Sequence, residues 1–182
     1  MSDELLDAVV IGAGPAGLTA AIYLGRYLRN FVVLDGGDPR AGWIPISNNH
    51  PGFPEGIPGV ELLARLREQA SRYDARIVEA EATRLEQTSD GFIVCTEDGV
   101  ARRFDVIYSA LGTTPRGALA EELGAKVDEV GSLLVNSHQM TTIEGLYAAG
   151  DLVRGLNQIT VAEAEAAIAA TGIHNRLRAE GL

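Results

Sequence analysis

The feature that most constrains this chain is the run Gly12-Ala13-Gly14-Pro15-Ala16-Gly17, which directly follows an apolar, β-branched stretch and opens a helical one. Asp7 to Ile11 reads as a buried strand, Leu18 to Arg29 as a helix and Phe31 to Leu34 as a second buried strand. Together they make a parallel βαβ unit. In that setting the GxGxxG pattern has a physical meaning: Gly12 makes the turn, Gly14 lets the backbone approach a pyrophosphate, and Gly17 lets the helix pack closely over the strand. The helix N-terminus offers free N–H groups and partial positive charge to phosphates, which makes Ala16 a candidate contact beside the glycines; Pro15, which has no N–H, is a candidate through its place in the turn. Asp35 ends the second strand about twenty residues on, where an acidic side chain accepts hydrogen bonds from ribose hydroxyls and disfavours a 2'-phosphate. The alternative is a glycine turn that packs a helix and holds no ligand. This fingerprint does not separate NAD from FAD.

At 182 residues the chain is long enough for one substantial core, so a single domain, 1–182, is expected. A formal charge of -10 argues against a nucleic-acid binder, which neutralises phosphates with clustered Lys and Arg. No run approaches the roughly 18 apolar residues of a membrane span, and the start Met1-Ser2-Asp3-Glu4 is acidic where a secretion signal is basic. No membrane association and a cytoplasmic location are the expectations. With one cysteine, Cys95, the chain holds no disulfide framework, no CxxC redox pair and no cysteine-built zinc site. Its place in Phe92-Ile93-Val94-Cys95 reads as inert core.

Residues 36–59 are rich in Gly, Pro, Asn and Ser, which predicts a long ordered loop without regular elements, and loops of that length are usually functional. From Val60 to Tyr73 the positions Leu62, Leu63, Leu66, Ala70 and Tyr73 repeat at helical spacing. Ile77-Val78, Thr83 to Leu85 and Phe92 to Cys95, with turn residues at Ser89-Asp90-Gly91 and Asp98-Gly99, predict an antiparallel meander. Asp105 to Ala110 is a buried strand, Ala118 to Leu123 a short helix, Leu133 to Val135 and Leu146 to Ala149 short strands, and Val161 to Ala179 a long alanine-rich helix. The fold class is therefore α/β and Rossmann-like, a central parallel sheet with helices on one side and an antiparallel β-meander on the other.

A second motif narrows the cofactor. Thr141-Thr142-Ile143-Glu144-Gly145-Leu146-Tyr147-Ala148-Ala149-Gly150-Asp151 resembles the TxxxxxYAxGD segment of FAD-containing pyridine nucleotide-disulfide oxidoreductases. The resemblance extends over almost the whole chain: Val9 to Gly12, Ala20 to Tyr23, the loop Asn49-His50-Pro51-Gly52-Phe53-Pro54 and the helix from Leu62 are similar to the FAD domain of low-molecular-weight thioredoxin reductases. It implies FAD as cofactor. Asp151 then binds a ribityl hydroxyl, and Gly150 lets the backbone touch the cofactor. Gln158 and Ile159 open the last helix, where N–H groups face the flavin pyrimidine and favour the anion formed on reduction. Asn49 occupies the place of a flavin-contacting asparagine, Arg40 lies in the loop that passes the cofactor, and Ala82 matches a backbone contact to adenine. Gly36 beside Asp35, and Ala110 and Gly112 at the end of the strand that returns to the FAD domain, complete the candidate set.

The departures from the family are as informative. Its inserted nucleotide domain, with a second glycine fingerprint and a CxxC pair, has no counterpart here. Phe104 to Pro115 looks like the returning strand and its Gly-x-x-Pro turn, joined straight onto the meander, so halves 1–112 and 113–182 are contiguous. Of the three histidines, His50 is either an ordinary hydrogen-bonded loop residue or a proton donor at the flavin edge; His138 and His174 have no partners at metal-ligand spacing. Trp43 covers the isoalloxazine, contacts a second protomer, or anchors the long loop. No residue is assigned a catalytic role. The resemblance implies an oxidoreductase that uses bound FAD with electrons from a diffusible reductant or a redox partner protein, and a homodimer. A flavin-binding module without turnover, or a truncated or engineered FAD domain, is the alternative, and a subunit that docks another chain over its flavin face a third.

Overall fold

A computed structural model describes residues 6–112 and 118–182. The chain runs β1 (Leu6–Ile11), α1 (Pro15–Arg26), β2 (Phe31–Asp35), a 3-10 turn (Arg40–Trp43), α2 (Gly59–Ser71), β3 (Arg76–Glu79), β4 (Ala82–Thr88), β5 (Gly91–Thr96) and β6 (Ala101–Ser109). It continues through α3 (Ala118–Glu122), β7 (Leu146–Ala148), a second 3-10 turn (Gly150–Leu152) and α4 (Ile159–Ala179).

β1 pairs in parallel with β2 on one edge and with β6 on the other, and β2 pairs in parallel with β3. The far edge of β6 is divided. Phe92 to Cys95 of β5 run antiparallel to its first half, and Leu146 to Ala148 of β7 run parallel to its second half. Being buried on both faces, Ala8 to Ile11 of β1, Phe31 to Leu34 of β2 and Val106 to Tyr108 of β6 are continuous apolar runs. Their side chains alternate all the same. Ala8, Val10, Phe31, Val33, Val106 and Tyr108 pack against α1, α2 and α4, whereas Val9, Ile11, Val32, Leu34 and Ile107 pack against the meander and Ala120. Small residues on α4, Ala166, Ala169 and Ala170, let it lie close beside α1.

The expected fold class holds, with local corrections. β3 does not join the meander, which is β4-β5-β6; it extends the parallel sheet, with Ile77 opposite Val33. The reason is turn chemistry: Thr88-Ser89-Asp90-Gly91 and Asp98-Gly99 reverse the chain, while Glu79-Ala80-Glu81 has no turn former, and Ala80 N–H continues onto Asp35 O at 3.0 Å. Leu133 to Val135 form isolated bridges rather than a strand. α1 and α4 begin earlier than their apolar periodicity suggested, at Pro15, a residue preorganised for the first helical position, and at Ile159. The 36–59 loop holds the Arg40–Trp43 turn and a bridge between Ser47 and Ile57. Cys95 is half-buried rather than core, because strand alternation turns Phe92, Val94 and Thr96 inward and Cys95 out. Thr113 to Pro115 of the Gly-x-x-Pro turn lie outside the described residues.

Candidate functional site

The carboxyl ends of β1, β2, β6 and β7 open into a cleft of about 520 Å³. It lies where the strand order reverses between β1 and β6, the usual place for a ligand in a sheet of this kind. Gly12, Gly14, Pro15 and Ala16 line it from the first turn, Asp35, Gly36 and Arg40 from the loop after β2, and Ala82 from β4. Ala110 and Gly112 line it after β6, Gly150 and Asp151 after β7, and Gln158 and Ile159 at the start of α4.

Gly12 crosses the end of β6 with φ 109°, and a Cβ there would stand 2.5 Å from Ala110 O. Gly14 caps α1 in an extended conformation with no side chain in the way. Leu18 N–H makes the first intrahelical bond, to Gly14 O at 2.9 Å, so the N–H groups of Ala16 and Gly17 precede the ladder. Pro15 has no N–H to leave unsatisfied. Gly17 itself does not line the cleft: a Cβ there would collide with Gly12 O, so its part is the close packing of α1 on the turn.

Asp35 is held at the end of β2 by two groups. Gly37 N–H donates to its Oδ1 at 3.0 Å, and Arg67 of α2 donates from Nη2 to its Oδ2. On the other wall Arg40 Nη1 donates to Asp151 Oδ2 at 2.9 Å and to Asn157 Oδ1 at 3.3 Å, a bridge from the long loop to the turn after β7. Asn49 lies outside the cleft lining but touches it through Gln158, its Nδ2 donating to Gln158 Oε1 at 2.8 Å. Gln158 precedes α4 in an extended conformation, so the positive end of a 21-residue helix faces the cleft from Ile159.

His50 is a hydrogen-bonded loop residue: its Nε2 sits 3.1 Å from Glu163 Oε2, its ring meets Phe53 edge-on, and it is not part of the lining. Burial pushes the Glu163 carboxyl above the ordinary range, opposed by the neighbouring His50. Trp43 lines the cleft but is 64% exposed, with Nε1 donating to Asp38 Oδ1 at 2.6 Å, so it is not buried as an anchor for the loop. Among the described residues no cluster of His, Cys, Asp or Glu has metal-site geometry, and no helix is long and apolar enough to cross a membrane.

Sequence reasoning missed Arg67, Asn157 and Asp38. Arg67 and Asn157 are brought to the site only by tertiary packing, with partners 32 and 117 positions away. Asn157 did leave a local signal, since its φ of 54° is one that Asn tolerates better than most residues. Asp38 sits two positions before Arg40 and carried no pattern of its own.

The arrangement suits an extended ligand. Asp35 and Asp151 follow β2 and β7, three strand steps apart, or about 14 Å at the usual spacing. Between them lie the glycine turn and the N-terminus of α1, with Ile11, Leu34, Ile44 and Ala162 as apolar wall.

Known proteins resemble the chain in sequence and in fold. The chain is 35% identical over 122 residues to the NADPH-dependent thioredoxin reductase 3 of Arabidopsis thaliana, covering 64% of this chain and 23% of that protein. It is 38% identical over 116 residues to the thioredoxin reductase of Aquifex aeolicus, covering 63% of this chain and 36% of that protein. It thus spans between about a quarter and a little over a third of the curated relatives it matches, 23% to 37% of their length. The solved structure of a thioredoxin reductase from Gloeobacter violaceus superposes with a TM-score of 0.86 over 97% of this chain and 96% of that chain, at 17% identity, a likeness of fold alone. The family model described as pyridine nucleotide-disulphide oxidoreductase matches residues 64–166, from the middle of α2 through the Ala148–Asp151 turn into α4. With the glycine turn and the second carboxylate turn on one cleft and more than half of the sequence under that match, the chain belongs to the pyridine nucleotide-disulphide oxidoreductase family.

Proposed function

We propose that this chain is a single FAD-binding domain of the thioredoxin reductase type, with its two halves joined directly, working as an oxidoreductase. The observation that carries this is the pair of carboxylates, Asp35 and Asp151, on either side of the N-terminus of α1 in one cleft. In this reading the N–H groups of Ala16 and Gly17 hold the pyrophosphate and Asp35 accepts from the adenosine ribose. Asp151 accepts from the ribityl chain, displacing or sharing Arg40. The residues Gln158 and Ile159 present the positive end of α4 to the pyrimidine edge, and the Asn49–Gln158 hydrogen bond fixes that edge. FAD supplies two-electron and one-electron transfer; the chain supplies binding, orientation and electrostatics. Electrons come from a diffusible reductant or a partner protein. Hydride transfer from free NAD(P)H is slow where no residue holds donor and flavin in register. A cytoplasmic homodimer is the setting the family resemblance favours.

The test is an absorption spectrum of the purified protein after incubation with FAD, then anaerobic titration with NADPH, NADH and dithionite. A bound flavin spectrum bleached by dithionite is expected, with Asp35→Ala and Asp151→Ala each weakening FAD by about tenfold or more. Rapid bleaching by one nucleotide would show a nicotinamide site and make the chain self-sufficient. Absence of bound flavin, or unchanged affinity in both variants, would overturn the proposal.

A further inference from the structure

The buried face of α4 is built from Ala166, Ala169, Ala170, Ile173 and Leu177, with one charged member, Glu165, only 5% exposed. A buried carboxylate is costly unless it is fully engaged, so its engagement is informative. Gly150 N–H donates to Glu165 Oε2 at 2.9 Å, and Arg154 Nε donates to Oε1 at 2.7 Å. Both donors belong to the turn that displays Asp151, and Arg154 N–H also returns to Gly150 O at 3.1 Å. Gly150 has φ 78°, a left-handed conformation, and its position is closed on one side by Ala162 and Ala16. The backbone there needs an external acceptor to point its N–H inward and leave the Asp151 side chain facing the cleft. Nearby in the core, the fully buried Tyr108 of β6 donates its hydroxyl to Ala16 O in the first turn of α1 at 3.4 Å.

We propose that Glu165 is a positioning residue for the cofactor: by holding the Gly150 N–H and Arg154 it fixes the left-handed turn that aims Asp151 into the cleft. This rests on the reading of Asp151 as an FAD ligand. Glu165 touches no cofactor itself and acts through the turn.

The experiment measures FAD dissociation constants of Glu165→Ala, Glu165→Gln, Asp151→Ala and the Glu165→Ala, Asp151→Ala double variant, together with exchange protection of the Gly150 amide in the cofactor-free proteins. Glu165→Ala is expected to weaken FAD about tenfold and to lose Gly150 protection, because the N–H then has no acceptor. Glu165→Gln keeps a carbonyl oxygen for that N–H and is expected to stay within about threefold of wild type. In the Asp151→Ala background Glu165→Ala is expected to add little, since the two act as one unit. Equal losses in both backgrounds, or unchanged affinity in Glu165→Ala beside a weakened Asp151→Ala, would overturn this inference and leave the function standing. Unchanged affinity in Asp151→Ala would instead overturn the reading of the site. If Glu165→Ala does not fold, Glu165→Ser, too short to reach the Gly150 N–H, takes its place: loss of Gly150 protection and FAD affinity together supports the inference, and retained protection, or lost protection with wild-type FAD binding, overturns it.

Discussion

Gly14 and Gly17 belong to one motif yet meet different surroundings. A Cβ on Gly17 would strike the backbone oxygen of Gly12, which has no rotamer to yield, whereas one on Gly14 would meet only Pro39 Cβ at 3.9 Å. Gly17→Ala should therefore lower the unfolding free energy by about 2 kcal/mol or more. Gly14→Ala should fold with nearly unchanged stability and, if the proposed pyrophosphate site is right, lose FAD affinity instead, because its new methyl would enter the space assigned to that group. Urea unfolding of both, beside FAD titration, separates the two roles; equal loss of stability in both would refute the division. The motif spacing made these glycines and Asp35 legible in the sequence, since a turn between strand and helix needs them at fixed offsets. Arg67 was not legible. It meets Asp35 only because α2 crosses to the end of β2, and nothing in the sequence around Arg67 distinguishes it from Arg65, which pairs with Glu61 one helical turn away. Cys95 was misplaced for a related reason: an apolar run in a strand does not say which member faces outward.

The long loop illustrates what element-level reading captures. Its composition predicted a connection without regular elements, whereas the structure places the Arg40–Trp43 turn and the Ser47–Ile57 bridge within it; nor did the sequence show the side-chain bridges that fasten it to the beginning of α4, Asn49 to Gln158 and His50 to Glu163. Glu163 carries a testable electrostatic consequence. Burial raises its carboxyl above the ordinary value of about 4.5, with His50 pulling the other way. A carboxyl raised in the folded state favours folding while it is protonated; that contribution is present below the unfolded value near 4.5 and is lost as pH rises through the folded value. Glu163→Gln has no charge to desolvate. Its melting temperature relative to wild type should rise between pH 4 and pH 7.5. A difference that stays flat or falls over that range would mean that the His50 contact outweighs the burial. β3 marks the opposite limit: its short alternating run fitted a meander as well as a parallel edge strand, and only the missing turn former between Val78 and Ala82 argued otherwise.

At the scale of the whole molecule, the cleft is closed by parts from both ends of the described chain. β1 and the first turn meet β7 and α4 side by side, with β6 between the strands and α1 packed on α4. β6 also carries the meander on the edge it shares with β7. Neither half could unfold without exposing the apolar residues that β6 and Tyr108 bury for the other. The cofactor-free protein is therefore expected to melt in one transition, with coincident loss of secondary structure and tyrosine environment. Bound as proposed, across residues 12–36 and 150–159, FAD should then stabilise the whole unit rather than one half. At a free concentration one hundred times its dissociation constant, the linkage amounts to about 2.7 kcal/mol, which for a chain of 182 residues is a rise of roughly 5–10 °C. Scanning calorimetry across an FAD series reads both quantities. Two transitions, with only one responding to FAD, would show that the halves fold separately and that the cleft lies on one of them; a single transition is the outcome that β6 at the centre of the sheet requires, and its climb with FAD is the outcome that the proposed site requires.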